Sequence, residues 1–135
     1  MESRRSADLE LSRRVIGAAI EVHRELGPGL LESAYRSCMA QELLEMGLGV
    51  EAEVPVALQY RGRKIEAGYR LDLLVEGKLV VELKAVRALE PLHVAQVRTY
   101  LRLSGRRVGL LINFNVTLLR QGVKRLVVEP RGKRE

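Results

Sequence analysis

The stretch GYRLDLLVEGKLVVELKAV, residues 68–86, decides the fold. It contains two runs of mostly apolar residues joined by Glu76-Gly77, a pair that is typical of a β-hairpin turn. The second run, KLVVELKAV, is nearly continuous aliphatic sequence, and such a run predicts a strand that is buried on both faces of a sheet. We therefore expect a hairpin whose two strands are Ile65–Val75 and Lys78–Val86.

Three ionisable side chains interrupt this apolar stretch: Asp72 in the first strand, and Glu82 and Lys84 in the second. Burying an unpaired charge is costly, so these groups need one another or a ligand. Glu82 and Lys84 share a face, because side chains alternate along a strand. Two carboxylates on adjacent strands form an oxygen-rich pocket suited to Mg²⁺ or Mn²⁺, and the backbone carbonyl of Leu83 could add a ligand. The alternative is a buried Asp/Glu–Lys ion pair that only fills the core.

Whether Asp72 lies beside Glu82 depends on the number of residues in the hairpin loop. A two-residue loop, Glu76-Gly77, places Asp72 opposite Val81 and on the wrong face. A three-residue loop, Glu76–Lys78, places it opposite Glu82, with a positive φ at the glycine. We expect the three-residue loop or an equivalent bulge.

Two helices and a strand are predicted before the hairpin, and a helix and two strands after it. Apolar residues recur at helical spacing from Leu9 to Leu26, and Gly27-Pro28-Gly29 breaks that helix. The other predicted elements are a helix over Leu31–Met46 ending at Gly47, an edge or irregular strand over Val50–Tyr60, a helix over Pro91–Ser104 closed by Gly105, and short strands over Arg107–Ile112 and Lys124–Val128 around the loop Asn113–Gly122. The order α-α-β-β-β-α-β-β indicates an α/β domain.

The composition indicates one compact, soluble domain. The 135 residues are 47% hydrophobic, and we expect a single domain over 1–135 with its core at about 9–128 and a basic tail at 129–135, where RGKRE frays. One cysteine, Cys38, excludes an internal disulfide framework and a cysteine-clustered metal site. The first residues are too charged for a secretory signal, and no apolar run approaches the roughly 18 residues of a membrane span. We therefore expect a cytoplasmic protein with no membrane partner.

Positive charge is concentrated in the later part of the chain. Residues 1–60 carry 6 Lys/Arg and 10 Asp/Glu, whereas residues 61–135 carry 17 and 7. Because 18 of the 23 basic residues are arginine, which binds phosphate through a bidentate fork, a nucleic-acid partner is reasonable; genome composition or heat tolerance explains the preference equally well. Candidate phosphate contacts are Arg98, Arg102, Arg106 and Arg107 on or after the third helix, and Arg61, Arg63 and Lys64 before the hairpin.

Four ordered blocks of the sequence resemble a known family. Asp72, with Glu82-Leu83-Lys84 ten residues further on, resembles the signature of the PD-(D/E)xK nuclease superfamily, although Arg70-Leu71 replaces its usual proline context. The segment Gly29–Tyr35, GLLESAY, matches the motif that names the GxxExxY protein family, a bacterial and archaeal branch of that superfamily. The blocks GPGLLESAY, GYRLDLLVEGKLVVELKAV, LEPLHVAQVRTYL and GLLINFN extend the similarity over roughly Val15–Val128.

The resemblance implies a restriction-endonuclease-like core, in which a mixed sheet is flanked by helices and the metal site lies at one sheet edge. It also implies that Asp72 and Glu82 hold a divalent metal and that Lys84 assists the hydrolytic water. Glu32 is the natural candidate for a further carboxylate from the first helical region. The alternative for Glu32 is a favourable charge at the start of a helix with no catalytic duty.

His93, Gln96 and Tyr100 share one face of the third helix. The resemblance extends to a Gln-x-x-x-Tyr element, which places Gln96 and Tyr100 beside the metal, where they contact the substrate or fix the lysine. The alternative is a polar stripe that faces water, and His93 is more typical of a neutral surface histidine. Tyr35, on the same side of its helix as Glu32, either hydrogen-bonds into this pocket or only packs.

The sequence therefore predicts a metal-dependent nuclease that hydrolyses phosphodiester bonds, in DNA more than RNA by analogy with the superfamily. The predicted catalytic residues are Glu32, Asp72, Glu82, Lys84 and Gln96, and the predicted substrate contacts are Tyr35, Tyr100, Arg98 and Arg102. The alternative function is a nucleic-acid-binding or accessory module with weak or partner-dependent cleavage. Because 135 residues offer little surface for a duplex, we expect a homodimer or a partner protein.

Overall fold

The helices and strands of the computed structural model follow the predicted order. The structure describes residues 2–129, so the predicted fraying of the RGKRE tail concerns residues outside the described range. The helices are α1 (Glu2–Leu26), α2 (Glu32–Glu45) and α3 (Pro91–Ser104), and the strands are β1 (Val50–Tyr60), β2 (Arg63–Val75), β3 (Leu79–Lys84), β4 (Val108–Asn113) and β5 (Val123–Val127). A short 3₁₀ turn, Leu119–Gly122, lies in the predicted loop between β4 and β5. None of the helices within residues 2–129 combines the length and the apolar character needed to cross a membrane.

The five strands form one mixed sheet in the order β1-β2-β3-β4-β5. Neighbouring strands are antiparallel, except that β3 and β4 are parallel and are connected through α3. β1 lies at the edge, and its pairing with β2 shifts between Val56 and Leu58, which confirms the predicted irregular edge strand. The architecture is the restriction-endonuclease-like α/β fold that the resemblance implied.

Helices cover both faces of the sheet. Apolar residues of α1 and α2 pack against the face to which Leu79, Val81 and Leu83 of β3 point. Residues of α3 pack against the opposite face, to which Val80 points. β3 is therefore buried on both sides, as its continuous aliphatic sequence predicts.

The hairpin loop between β2 and β3 has the three residues that the sequence predicts. Val75 pairs with Leu79 across the loop, and Gly77 adopts a positive φ of 64°. Continued along the two strands, this register places Asp72 opposite Glu82. The predicted three-residue loop is thus confirmed.

A buried asparagine fixes the chain after β3, which ends at Lys84 and not at the predicted Val86. The side-chain amide of Asn113 donates to the carbonyl of Val86 at 2.9 Å, and its oxygen accepts from the N–H of Val86 at 3.0 Å. These bonds replace further strand pairing, because the side chain satisfies both backbone groups. Asn113 therefore holds the segment that follows Lys84 against the end of β4.

Gly122 packs against this asparagine, and a side chain there would collide with the carbonyl oxygen of Asn113. We expect Gly122→Ala to lower the free energy of unfolding by about 1–3 kcal/mol, because backbone would have to move. Gly17 in α1 is the control, since a Cβ there has no heavy atom within 4 Å outside its own stretch of helix. Gly17→Ala should raise the free energy of unfolding by about 0.5–1 kcal/mol. Urea denaturation compares the variants, and equal stabilities would contradict the packing described.

Candidate active site

Asp72 and Glu82 lie side by side, and each carboxylate accepts a hydrogen bond from the backbone of the opposite strand. The N–H of Asp72 donates to Oε2 of Glu82 at 3.0 Å, and the N–H of Leu83 donates to Oδ2 of Asp72 at 2.8 Å. Glu82 is 4% exposed, and the side chain of Asp72 is 20% exposed. The hairpin therefore brings two largely buried carboxylates into contact with one another's strand.

The acid pair lies where β2 and β3 separate. Pairing between these strands ends at Leu73 and Val81, beyond which β2 continues along β1 and β3 along β4. The pair thus lies between the second and third strands of the sheet, which corrects the sheet-edge position that the resemblance implied. The separation allows side chains from helices on both faces to approach the acids. These side chains are Glu32 and Arg36 of α2 and Tyr100 of α3. Gln96 of α3 contacts Lys84 and not the acids themselves.

Burial and mutual repulsion disfavour the charged forms of the two acids. Burial, together with the neighbouring charge of Asp72, raises the pKa of Glu82 to about 8. Burial also raises the pKa of Asp72, although the Leu83 N–H and the Arg36 guanidinium act in the opposite direction. Two such carboxylates do not both ionise readily unless positive charge is nearby. The site is therefore one that a cation would stabilise.

The oxygen atoms around the acid pair fit a hard divalent cation. The N–H and C=O of one strand residue point to the same side, so the carbonyl of Leu83, whose N–H donates to Asp72, faces the acids. The carbonyl of Lys84 faces β4, where it accepts from the N–H of Phe114 at 2.9 Å. Two carboxylates and a carbonyl are donors that Mg²⁺ and Mn²⁺ prefer. Within residues 2–129, no group of three or more His, Cys, Asp and Glu side chains is arranged to hold a metal ion.

Lys84 lies near the acids but contacts α3. Its Nζ donates to Oε1 of Gln96 at 3.3 Å. In the described part of the chain, no salt bridge joins Lys84 to Asp72 or Glu82. The structure thus gives no support to the alternative of an Asp/Glu–Lys ion pair that only fills the core.

Glu32 is the first residue of α2 and binds the segment that follows β3. Its Oε2 accepts a hydrogen bond from the N–H of Ala85 at 3.4 Å. After burial, the charge of Glu32 is among the causes that raise the pKa of Asp72, so Glu32 lies close to the acid pair. A catalytic role for Glu32 stays a prediction.

α3 brings Tyr100 to the acid pair and leaves His93 at the start of the helix. Burial, followed by the charge of Glu82, raises the pKa of the Tyr100 hydroxyl. The Tyr100 ring lies 6.0 Å from the ring of Tyr69, measured between centroids. Nδ1 of His93 accepts from the N–H of Glu90 at 2.9 Å in a capping box, which gives His93 a structural role.

Tyr35 lies in the core. Its ring is fully buried and stacks on Phe114, with 4.3 Å between the ring centroids. The hydroxyl donates to the carbonyl of Gly27 at 2.5 Å and accepts from the N–H of Leu30 at 3.2 Å. These contacts fix the loop before α2 and favour the alternative that Tyr35 only packs.

The structure does not bring Arg98 and Arg102 to the acid pair. At 3.6 residues per turn, both point more than about 100° away from Gln96 around the axis of α3. Arg102 instead lines a separate cleft of about 610 Å³ with Arg106 and Arg107. Substrate contacts by Arg98 and Arg102 would therefore lie away from the acids.

Sequence reasoning missed Arg36, the basic residue that contacts the acid pair. Its Nη1 lies 3.3 Å from Oδ1 of Asp72. The only indication in the sequence is spacing, because Arg36 follows Glu32 by four residues and so shares its face of α2. Asn113 was also missed, although it lies in the block GLLINFN that carries part of the resemblance.

A buried acid pair and a nearby lysine, on adjacent strands of a mixed sheet with helices on both faces, are the arrangement of a nuclease-type α/β domain. The family model described as PD-(D/E)XK nuclease superfamily matches residues 9–126. The chain therefore belongs to the PD-(D/E)XK nuclease superfamily. No curated protein and no solved structure matches the chain. The narrower assignment to the GxxExxY family stays a prediction.

Proposed function

We propose that the protein is a divalent-metal-dependent nuclease that hydrolyses phosphodiester bonds in DNA at the Asp72–Glu82 pair. The observation that carries this proposal is the pair itself, in which two largely buried carboxylates repel each other. Within residues 2–129 neither forms a salt bridge with Lys84, and only Asp72 contacts a basic residue, Arg36. Positive charge from a bound cation would remove that repulsion. Membership of the superfamily supports a nuclease, and DNA as the substrate is an analogy with that superfamily.

Asp72, Glu82 and the carbonyl of Leu83 would hold Mg²⁺ or Mn²⁺. A cation bound there would offset charge on the phosphate and make water more acidic. The backbone N–H groups of Asp72 and Leu83 already fix one oxygen of each carboxylate. The two acids are thus oriented before a ligand arrives, which reduces the reorganisation needed for binding.

Lys84 would position the attacking water and stabilise negative charge that develops on the phosphate. Gln96 fixes the Lys84 ammonium at 3.3 Å. In the reaction, the water oxygen forms a bond to phosphorus while the bond to the leaving sugar oxygen breaks, and protons pass from the water to solvent and from solvent to that sugar oxygen. Glu32 would complete the pocket from the α2 side, and Tyr100 would contact the substrate from the α3 side.

A homodimer or a partner protein would complete the substrate channel, because a chain of 135 residues offers little surface for a duplex. Light scattering with and without DNA measures the assembly. A monomer that binds and cleaves duplex DNA by itself would contradict this part of the proposal.

Mn²⁺ titration calorimetry, combined with cleavage assays on labelled single-stranded, duplex and branched DNA, tests the proposed function. A metal-dependent nuclease binds Mn²⁺ and cleaves at least one of the three substrates. Mn²⁺ binding without cleavage would favour the alternative of an accessory module that needs a partner. If no Mn²⁺ binds, the charged cluster is structural and the proposal is wrong.

Lys84→Gln should lower kcat for cleavage by about 10²–10³-fold, because it removes the charge that stabilises the transition state. Its affinity for Mn²⁺ should not fall, since Nζ contacts Gln96 and not the acids. Lys78→Gln is the matched control, because Lys78 is an exposed lysine in the loop of the same hairpin. Single-turnover kinetics measure both variants, and equal losses of rate would show that Lys84 has no special role.

A further inference from the structure

Arg36 forms a bridge between Asp72 and a third acid, Glu53. Its Nη1 lies 3.3 Å from Oδ1 of Asp72, and its Nη2 lies 3.9 Å from Oε2 of Glu53. The side chain of Arg36 is 24% exposed, and that of Glu53 is 52% exposed. Among residues 2–129, Arg36 is the basic residue within salt-bridge distance of the acid pair. The bridge therefore extends from the buried acids towards solvent.

The backbone at Glu53 is unusual and lies opposite Asp72. In the pairing of β1 with β2, Ala52 pairs with Leu73 and Val54 with Leu71, so Glu53 is next to Asp72 across the two strands. Glu53 has a φ of 53°, in the left-handed region that residues other than glycine rarely occupy. Such backbone conformations cluster at active sites and ligand-binding sites, where the surrounding structure holds them in place.

Arg36 and a divalent cation would compete for Asp72. The guanidinium occupies Oδ1 of Asp72, which is one of the oxygens that would bind a metal. Its charge would also repel a cation placed between Asp72 and Glu82. Two cations that bind the same carboxylate weaken each other's binding by the same factor.

We propose that Arg36 is an internal counter-ion of the acid pair, which a divalent cation displaces from Asp72 onto Glu53. This inference rests on the proposed function, because it concerns the same metal site. Glu53 is then a positioning residue that acts through Arg36: it retains the guanidinium near the site after the cation binds. The bridge places a positive charge beside Asp72 in the metal-free protein and lowers the affinity for metal alone.

The test is Mn²⁺ binding in the absence of nucleic acid, measured by calorimetry on the whole chain. Arg36→Gln should bind Mn²⁺ about tenfold more tightly than the wild type, because the competing charge is removed. Arg36→Lys keeps that charge and should stay closer to the wild type. The matched control is Arg107→Gln, since Arg107 pairs with Asp8 at 3.1 Å with 26% side-chain exposure and should leave Mn²⁺ affinity unchanged. An unchanged or lower affinity in Arg36→Gln would overturn the inference.

The substitution Glu53→Gln distinguishes a role of Glu53 in positioning Arg36 from a direct effect of the Glu53 charge on the cation. It should weaken Mn²⁺ binding in the wild type, because the guanidinium loses its second partner and stays on Asp72. In the Arg36→Gln background the same substitution should have a smaller effect, because Glu53 then has no guanidinium to hold. Equal effects in the two backgrounds would mean that Glu53 acts on the cation directly, and the positioning role would be wrong.

A measurement on the wild type covers the case in which Arg36→Gln does not fold. Addition of Mg²⁺ should shift the Nε–Hε NMR signal of Arg36 and leave the signal of Arg107 unchanged. An Arg36 signal that does not move while Mg²⁺ binds would overturn the inference. If the wild type binds Mn²⁺ and Asp72→Asn does not, the metal site of the proposed function stands whatever Arg36 does. If the wild type binds neither ion, both the inference and the proposed function are wrong.

Discussion

Asp72→Asn should lower the rate of DNA cleavage by about 10³-fold or more, and the affinity for Mn²⁺ should fall with it. The substitution removes one of the two carboxylates that would hold the cation, and such electrostatic contributions are worth several kcal/mol in a water-excluded site. Asparagine keeps an oxygen that can accept the hydrogen bond from the N–H of Leu83, so the hairpin should still form. Cleavage kinetics and Mn²⁺ calorimetry on the purified variant measure the two losses.

Asp8→Asn is the control for this substitution, because Asp8 is the only other aspartate in the chain. Asp8 pairs with Arg107 at 3.1 Å and its side chain is 13% exposed, so it is also a largely buried and paired acid. The control should cleave DNA at the wild-type rate. Activity that survives in Asp72→Asn would mean that the cleavage has a different centre or comes from a contaminant.

The metal-free protein should lose stability as the pH rises from about 4.5 to about 8, the unperturbed and folded pKa values of Glu82. Burial comes first among the causes of this raised pKa, and repulsion by Asp72 follows. The folded protein therefore holds a proton on Glu82 that the unfolded chain has already released. Stability from this group is fully present below pH 4.5 and is lost as the pH rises through the folded value.

Glu82→Gln should remove this pH dependence, because glutamine is neutral at every pH and can still accept from the N–H of Asp72. Between pH 6 and pH 8.5, the wild type should lose a few kcal/mol relative to this variant. Mn²⁺ should stabilise the wild type more at the higher pH, since a cation binds the ionised acids. Thermal unfolding in chelator and in Mn²⁺ measures both effects. Glu66→Gln is the control for an exposed glutamate, and identical pH profiles for the wild type and Glu82→Gln would contradict the raised pKa.

The sequence predicts the hairpin well because two independent requirements agree. Strand alternation allows only an odd number of loop residues if Asp72 and Glu82 are to meet, and the loop has three. Helix ends were predictable for a similar reason, since Gly47 and Gly105 adopt the positive φ that ends a helix. The loop length and the helix ends depend on residues that are close in sequence. They could therefore be predicted without knowledge of contacts between distant segments.

The missed parts of the site depend on contacts between distant segments. Arg36 reaches Asp72 only because α2 packs across β2, and Asn113 reaches Val86 only because β4 lies beside β3. The local sequence does not identify these partners: the spacing of Arg36 from Glu32 indicates only a shared helix face, and the block GLLINFN indicates only a family motif. Two other residues were predicted to contact the substrate but lie away from the acid pair. Tyr35 belongs to a family motif yet is buried in the core, and Arg102 is basic yet lines a separate cleft.

The three-residue loop of the hairpin has a consequence for how the proposed nuclease activity could be lost during evolution. Deleting Gly77 would leave Asp72, Glu82 and Lys84 in the chain, yet it would turn Asp72 to the opposite side of the sheet from Glu82. A relative with an intact motif and a shortened turn would therefore be a pseudoenzyme. The number of residues between the aspartate and the E-x-K triplet therefore separates active from inactive homologues better than the presence of the motif residues alone.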